Sequence, residues 1–255
     1  MAYCLVQTDF AVPPAEQLRR AFRSLETLTE ADAVKLANEA CGILAKNLST
    51  QDASRLQRAL AAEGVPTEIV EGAQLPKLPE VKFVRRLEIQ PQALLIYDPL
   101  GRTVPVPWQH VALIAAGTVR HFGVSATQTE ETVKTFDPIR GFRTKVVTDR
   151  RHKIEQDTRL LLDIFLTGGT IRFEIEAETF MFKYCFDRPD LNLAQKLGLL
   201  IQMLARNAPH ALMNRGAVAL RDGPTGSATH ASKAALFDEC SWWLWQMIRK
   251  TRESG

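Results

Sequence analysis

Two adjacent glycines, Gly168 and Gly169, stand between runs of alternating apolar residues and constrain this chain more than any other feature. A two-residue hairpin turn of type I′ needs positive φ at both central positions, which glycine adopts without steric penalty. Centring the turn there pairs Leu166 with Ile171, Ile164 with Phe173 and Leu162 with Ile175. All six then share one face, and a slip of one residue would expose them, so turn and pattern specify one register. That register opposes Asp163 and Glu174 on the other face, a candidate acid/base pair or cation site that is expected instead to be a solvated pair relieved by Arg172. Beyond the hairpin, Phe180, Phe182, Tyr184 and Phe186 alternate as a further strand. Leu193, Leu197, Leu200, Ile201 and Leu204 then mark the apolar stripe of a helix.

Earlier alternating runs predict strands at 82–89, 93–97, 104–108 and 111–119. Pro105 and Pro107 offer no amide donors, so their strand belongs at a sheet edge. From residue 122 to about 157 the alternation lapses, and the sequence predicts a long loop with a short strand near Thr144–Val147. The first 76 residues read differently, as β-α-α-β-α-β in a two-layer sandwich. Thr29 with Asp32, and Ser49 or Thr50, supply helix caps there. Pro76 and Pro79 stiffen a linker to the β-rich region, 80–215. Residues 222–255 comprise a Gly/Ser-containing connection and a helix from Ser232 to Arg252 that is apolar nearly all round. The predicted class is α+β.

Two resemblances accompany this reading. The run from Arg20 to Val70, with its ILAKNLSTQDASRLQRALAAEGVPTEIV core, resembles the C-terminal domain of the bacterial ribosomal stalk protein. That likeness implies a βααβαβ fold and a protein-interaction module. The family's basic GTPase-binding surface is not carried over, because Glu26, Glu30 and Asp32 occupy the inter-helix region. The ALLIYDPLGRTVPVPWQHVALI stretch is similar to bacterial pleckstrin-homology-like domains. This implies a β-barrel capped by a helix that binds proteins, peptides or lipid headgroups without catalysis.

The chain carries neither GxSxG, HExxH nor GxGxxG, and its histidines form no recognisable set, so nothing warrants an enzyme, a cofactor or a metal. Cys4, Cys41, Cys185 and Cys240 lie far apart, which points to free thiols in a reducing compartment. No leader pattern and no spanning apolar run is present, so the expectation is a cytoplasmic chain that is not an integral membrane protein. Charge is uneven: residues 80–221 carry 20 Lys+Arg against 15 Asp+Glu, whereas 1–79 carry 8 against 10. Arg140, Arg143, Lys145, Arg150, Arg151 and Lys153 concentrate the excess and form a candidate anion or phospholipid-headgroup site. Few aromatics interleave with them, which disfavours nucleic acid. Trp242, Trp243, Trp245 and Met247 form a candidate partner interface, for another protein or a second copy of the chain. A non-enzymatic adaptor binding a protein or peptide is the leading reading. The alternatives are anion binding through 140–153 and a small-molecule enzyme with an inter-domain site.

Overall fold

The computed structural model describes residues 2–25, 28–137, 141–223 and 229–253, with residues 39, 121–137, 141–157 and 252–253 described through their backbone alone. The chain is α+β, as expected. Residues 1–119 and 159–255 form one compact unit. Residues 120–158 form a second.

The N-terminal segment runs β1 (Tyr3–Gln7), α1 (Ala15–Phe22), α2 (Glu30–Glu39), β2 (Ile43–Leu48), α3 (Thr50–Ala62) and β3 (Thr67–Glu71). Its local signals work as the sequence implies. Thr29 and Asp32 close a capping box on α2, and Ser49 accepts from the Asp52 amide at the start of α3. The strands order as β2-β1-β3, antiparallel throughout. Leu5 and Leu44 meet Leu18, Phe22, Leu56 and Leu60 on one face. Cys4, Val6, Ile43 and Val70 are buried on the opposite face, against Trp242. The expected two-layer sandwich is therefore corrected to three layers, with the third supplied by the distant C-terminal helix.

In the β-rich region the expected strand at 82–89 divides into β4 (Val81–Phe83) and β5 (Leu87–Ile89), which join different sheets. Then follow β6 (Ala93–Tyr97), β7 (Thr103–Pro107), β8 (Val111–Asp137), β9 (Gly141–Leu166) and β10 (Arg172–Glu176). After these come α4 (Leu193–Asn207), β11 (Leu212–Met213), α5 (Arg215–Asp222), β12 (Thr229–His230) and α6 (Lys233–Glu253). One sheet has the order β5-β6-β7, with the proline-bearing β7 at its edge as expected. The larger sheet has the order β11-β8-β9-β10-β4, with β12 also pairing β8.

The glycine hairpin holds its predicted register, Ile164 opposite Phe173 and Leu162 opposite Ile175. Both turn glycines have positive φ, 81° and 63°. Where the sequence suggested a loop, the backbone of 122–137 lies in β8 and that of 141–157 in β9. Its many Thr and Val residues favour strand geometry even where no apolar face alternates. The expected strand at 180–186 is instead a 3-10 turn, Phe182–Tyr184. Strand β10 has no edge left to receive it, because β9 pairs one side and β4 the other, in parallel. Phe180 and Phe182 are still buried, driven into the core by the same apolar surface that suggested a strand.

One face of the large sheet, through Ile114, Leu162, Ile164 and Phe173, packs on the small sheet and on Leu197, Leu200 and Leu204 of α4. The other, through Leu113, Leu161 and Phe165, packs on Leu236, Cys240 and Leu244 of α6. Helix α6 thus lies between two sheets. Its Trp242 Nε1 donates to the Gln7 carbonyl at 2.8 Å, and Gln246 donates to the same oxygen at 2.9 Å. Gly42, at φ 74°, lets the indole close in, since a Cβ there would lie 2.3 Å from the ring. Replacing Trp242 with Ala is expected to lower the unfolding free energy by about 3–5 kcal/mol. Urea denaturation measures it, and a loss below about 1 kcal/mol would mean that α6 is not the tie between the sheets.

Candidate binding cleft and buried charge clusters

Asp163 and Glu174 stand opposite each other, as the register requires. They are not solvated: both side chains are buried, because α6 covers that face of the sheet. Arg172 bridges them, its Nε donating to Asp163 Oδ1 at 2.7 Å and its Nη2 to Asp163 Oδ2 at 3.2 Å and to Glu174 Oε2. The guanidinium lies 4.1 Å from the Phe237 ring centroid, so its flat face is covered as well. Lys233, at the start of α6, donates to Glu174 Oε1 and is the cluster's opening to solvent, with 41% of its side chain exposed. Burial pushes the Asp163 carboxyl up to about 7 against the opposing pull of Arg172.

A second buried cluster ties β12 and α5 to α6. His230 Nε2 lies 2.6 Å from Glu239 Oε2, and the Arg215 amide donates to Glu239 Oε1 at 3.4 Å. Burial alone would raise the Glu239 carboxyl, but His230 and Arg215 together outweigh it and hold the group below its ordinary value. His230 Nδ1 has no hydrogen-bond partner among the described residues. That nitrogen faces Gly117, where a Cβ would stand 2.4 Å away, so the ring is sealed against β8. Asn214 caps α5 at the Ala217 amide and also pairs with both the amide and the carbonyl of Ala116. These groups hold elements together, their hydrogen bonds joining α5 to β8 and both α5 and β12 to α6. In the sequence, Glu239 was the available signal: an acid next to Cys240 and the tryptophan run of a largely apolar helix segment needs a buried partner.

The open site lies elsewhere. A cleft of about 670 Å³ separates β4 from β7, each the last strand at one end of its sheet. Val84, Ile96, Val106 and Phe173 line it from the core, while Lys82, Asp98 and His110 supply its polar groups. Phe83 and Val104 stand at its rim with 57% and 46% exposure. Sequence reasoning missed this cleft because it placed 82–89 in one strand, which would have closed the gap that the crossing from β4 to β5 leaves open. A further hollow of about 520 Å³ lies beside Cys41, with Lys46 and Asp238 ion-paired at its wall. Burial, reinforced by Glu239, pushes the Cys41 thiol up to about 12, which favours the protonated thiol over the nucleophilic thiolate at neutral pH.

Arg140 lies outside the described residues, and so do the side chains of Arg143, Lys145, Arg150, Arg151 and Lys153, whose backbone belongs to β9. Of the aromatic set on α6, Trp242 is buried against β1 and β2, and Trp243 stacks on Phe10 with ring centroids 4.9 Å apart. Trp245 lies beside Arg249, and Met247 packs under the large sheet. Most of this expected partner surface is turned to its own chain. No helix of the described residues is long and apolar enough to cross a membrane.

The raised Asp163 carboxyl means that folding favours its protonated form. Its contribution to stability is present below its ordinary value near 3.8 and lost as pH rises through about 7. The Tm of the wild type relative to Asp163→Asn is therefore expected to fall between pH 5 and pH 8. Parallel Tm–pH profiles would contradict the assignment.

Comparison with protein-family models, curated proteins and solved structures gave no match to this chain.

Proposed function

We propose that the chain is a non-enzymatic interaction protein that binds a partner protein through the cleft between β4 and β7. The observation that carries this reading is the cleft itself, an apolar trough flanked by the outer edges of two terminal strands with Phe83 and Val104 exposed at its rim. Exposed apolar surface beside a concave apolar floor is a recurring mark of a binding site. The two buried charge clusters support a scaffold role for the remainder of the compact unit, since their hydrogen bonds join strands and helices to one another. Four free thiols, two of them buried, fit a protein working in a reducing compartment such as the cytoplasm. The reading of 140–153 as an anion site rests on sequence charge alone.

A photo-cross-linking residue placed at Phe83 or Val104 in the full-length protein tests this in cells. Cross-linking to a discrete partner is expected from both positions and not from the exposed Arg58 on α3. Phe83→Glu combined with Val104→Glu is expected to reduce partner binding at least tenfold while leaving Tm within a few degrees, because both side chains are largely exposed. Unchanged binding in that variant, or turnover of a metabolite without any cross-linked partner, would overturn the reading.

A further inference from the structure

The backbone on the two sides of the cleft is not equivalent. Strand β4 pairs with β10 in parallel, with Phe173 opposite Lys82, and the Val84 amide donates to the Glu174 carbonyl at 2.9 Å. Alternation along a parallel strand then turns the peptide groups of Lys82 and Val84 toward β10 and those of Val81 and Phe83 outward. Because β4 is the last strand of its sheet, the Phe83 amide and the carbonyls of Val81 and Phe83 form an unpaired edge beside the cleft.

The facing edge is blocked. The Gln90 amide donates to Ala93 and the Tyr97 amide to Arg86, so the odd-numbered residues of β6 bond toward β5. Leu94 and Ile96 therefore bond toward β7, opposite Val106 and Val104. Pro105 and Pro107 fall at the alternate positions, where a normal residue would point its amide outward. Their rings leave carbonyls without matching donors, and Thr103 supplies the single outward amide within β7, so no continuous ladder can form along it. A segment entering the cleft finds one edge able to pair, that of β4.

Side chains on such a segment would alternate between two environments. One set meets the apolar floor at Val84, Ile96 and Val106. The other lies over Phe83, whose ring is 5.8 Å from the Lys233 ammonium, itself bonded to Glu174. Lys82 adds a second cation at the cleft. Asp98, the carboxylate among the described lining residues, is already committed, with oxygens accepting from the amides of Leu100 and Arg102 at 2.9 and 2.8 Å and from Arg102 Nε at 2.7 Å. Lys233 is likewise paired, with Glu174, so the charge left for a ligand is the ammonium of Lys82.

Resting on the proposed cleft-binding role, we propose that the partner is captured by strand addition: an extended protein segment of alternating apolar and acidic residues pairs with the outer edge of β4. An acyl chain could fill the same volume, but it would leave the Phe83 amide without an acceptor, and this favours a peptide.

The probe is a capped eight-residue peptide alternating valine with glutamate, titrated into the full-length protein by fluorescence anisotropy and amide exchange. Saturable binding is expected, with exchange of the Phe83 amide slowed at least tenfold. N-methylation of the peptide amides in one alternate set should weaken binding at least tenfold, and methylation of the other set should not. Replacing glutamate with lysine in the peptide should also weaken it at least tenfold. Phe83→Pro, which deletes an outward amide and leaves the bonds to β10, should abolish peptide binding while Tm moves by only a few degrees. Equal affinity for both methylated peptides, or for the lysine peptide, would overturn strand addition. If dodecanoate binds in the cleft and the peptide does not, strand addition fails and the site is one for acyl chains. If no peptide, no dodecanoate and no cross-linked partner engages the cleft, the proposed function itself fails.

Discussion

Helix α6 is the contact on which the rest of this structure depends. One side supplies Leu236, Cys240 and Leu244 to the back of the large sheet, and another inserts Trp242 behind the N-terminal sheet. Each sheet would otherwise present an apolar face to water, at about 25 cal/mol for every Å² left uncovered. Burial on more than one side explains why the helix shows no single clean apolar stripe. The two ends of the sequence thereby become one compact unit, and the Pro76–Pro79 linker does not separate independently packed bodies.

Covering the large sheet has an electrostatic consequence. Asp163, Arg172 and Glu174 lie beneath α6, where isolated charges would be strongly disfavoured. The arrangement is sustained because the bidentate Arg172–Asp163 pair, the Glu174 contact and Lys233 satisfy nearly every charged atom. Such clusters contribute little net stability compared with apolar replacements, but removing one member leaves an uncompensated charge. Their effect here is to fix where α6 starts on the sheet. The His230–Glu239 pair does the same near β12.

The cleft is a product of topology. The chain leaves β4 and enters β5 in a different sheet, so the two sheets approach without sharing a ladder at that end. Proline in β7 prevents the gap from being closed by backbone pairing, and the apolar floor remains accessible. Unpaired edges are usually guarded against association. In this protein one edge is guarded by proline and the other is open.

The hairpin register, the edge position of β7, the caps of α2 and α3, and the βααβαβ order were all legible in the chain, because each rests on contacts between near neighbours or on a residue's own backbone limits. The division of 82–89 between two sheets, the loss of a strand at 180–186 and the burial of Asp163 and Glu174 were not legible. Each depends on what covers or pairs a segment, and those partners lie far away in sequence: Trp242 reaches Gln7 across 235 positions, and Lys233 reaches Glu174 across 59. Local pattern determined which residues form strands, turns and helices and which of their faces are apolar. Tertiary structure alone decided which faces meet, which charges are taken out of water and where an edge is left open, since burial belongs to the assembled surfaces and not to any one segment.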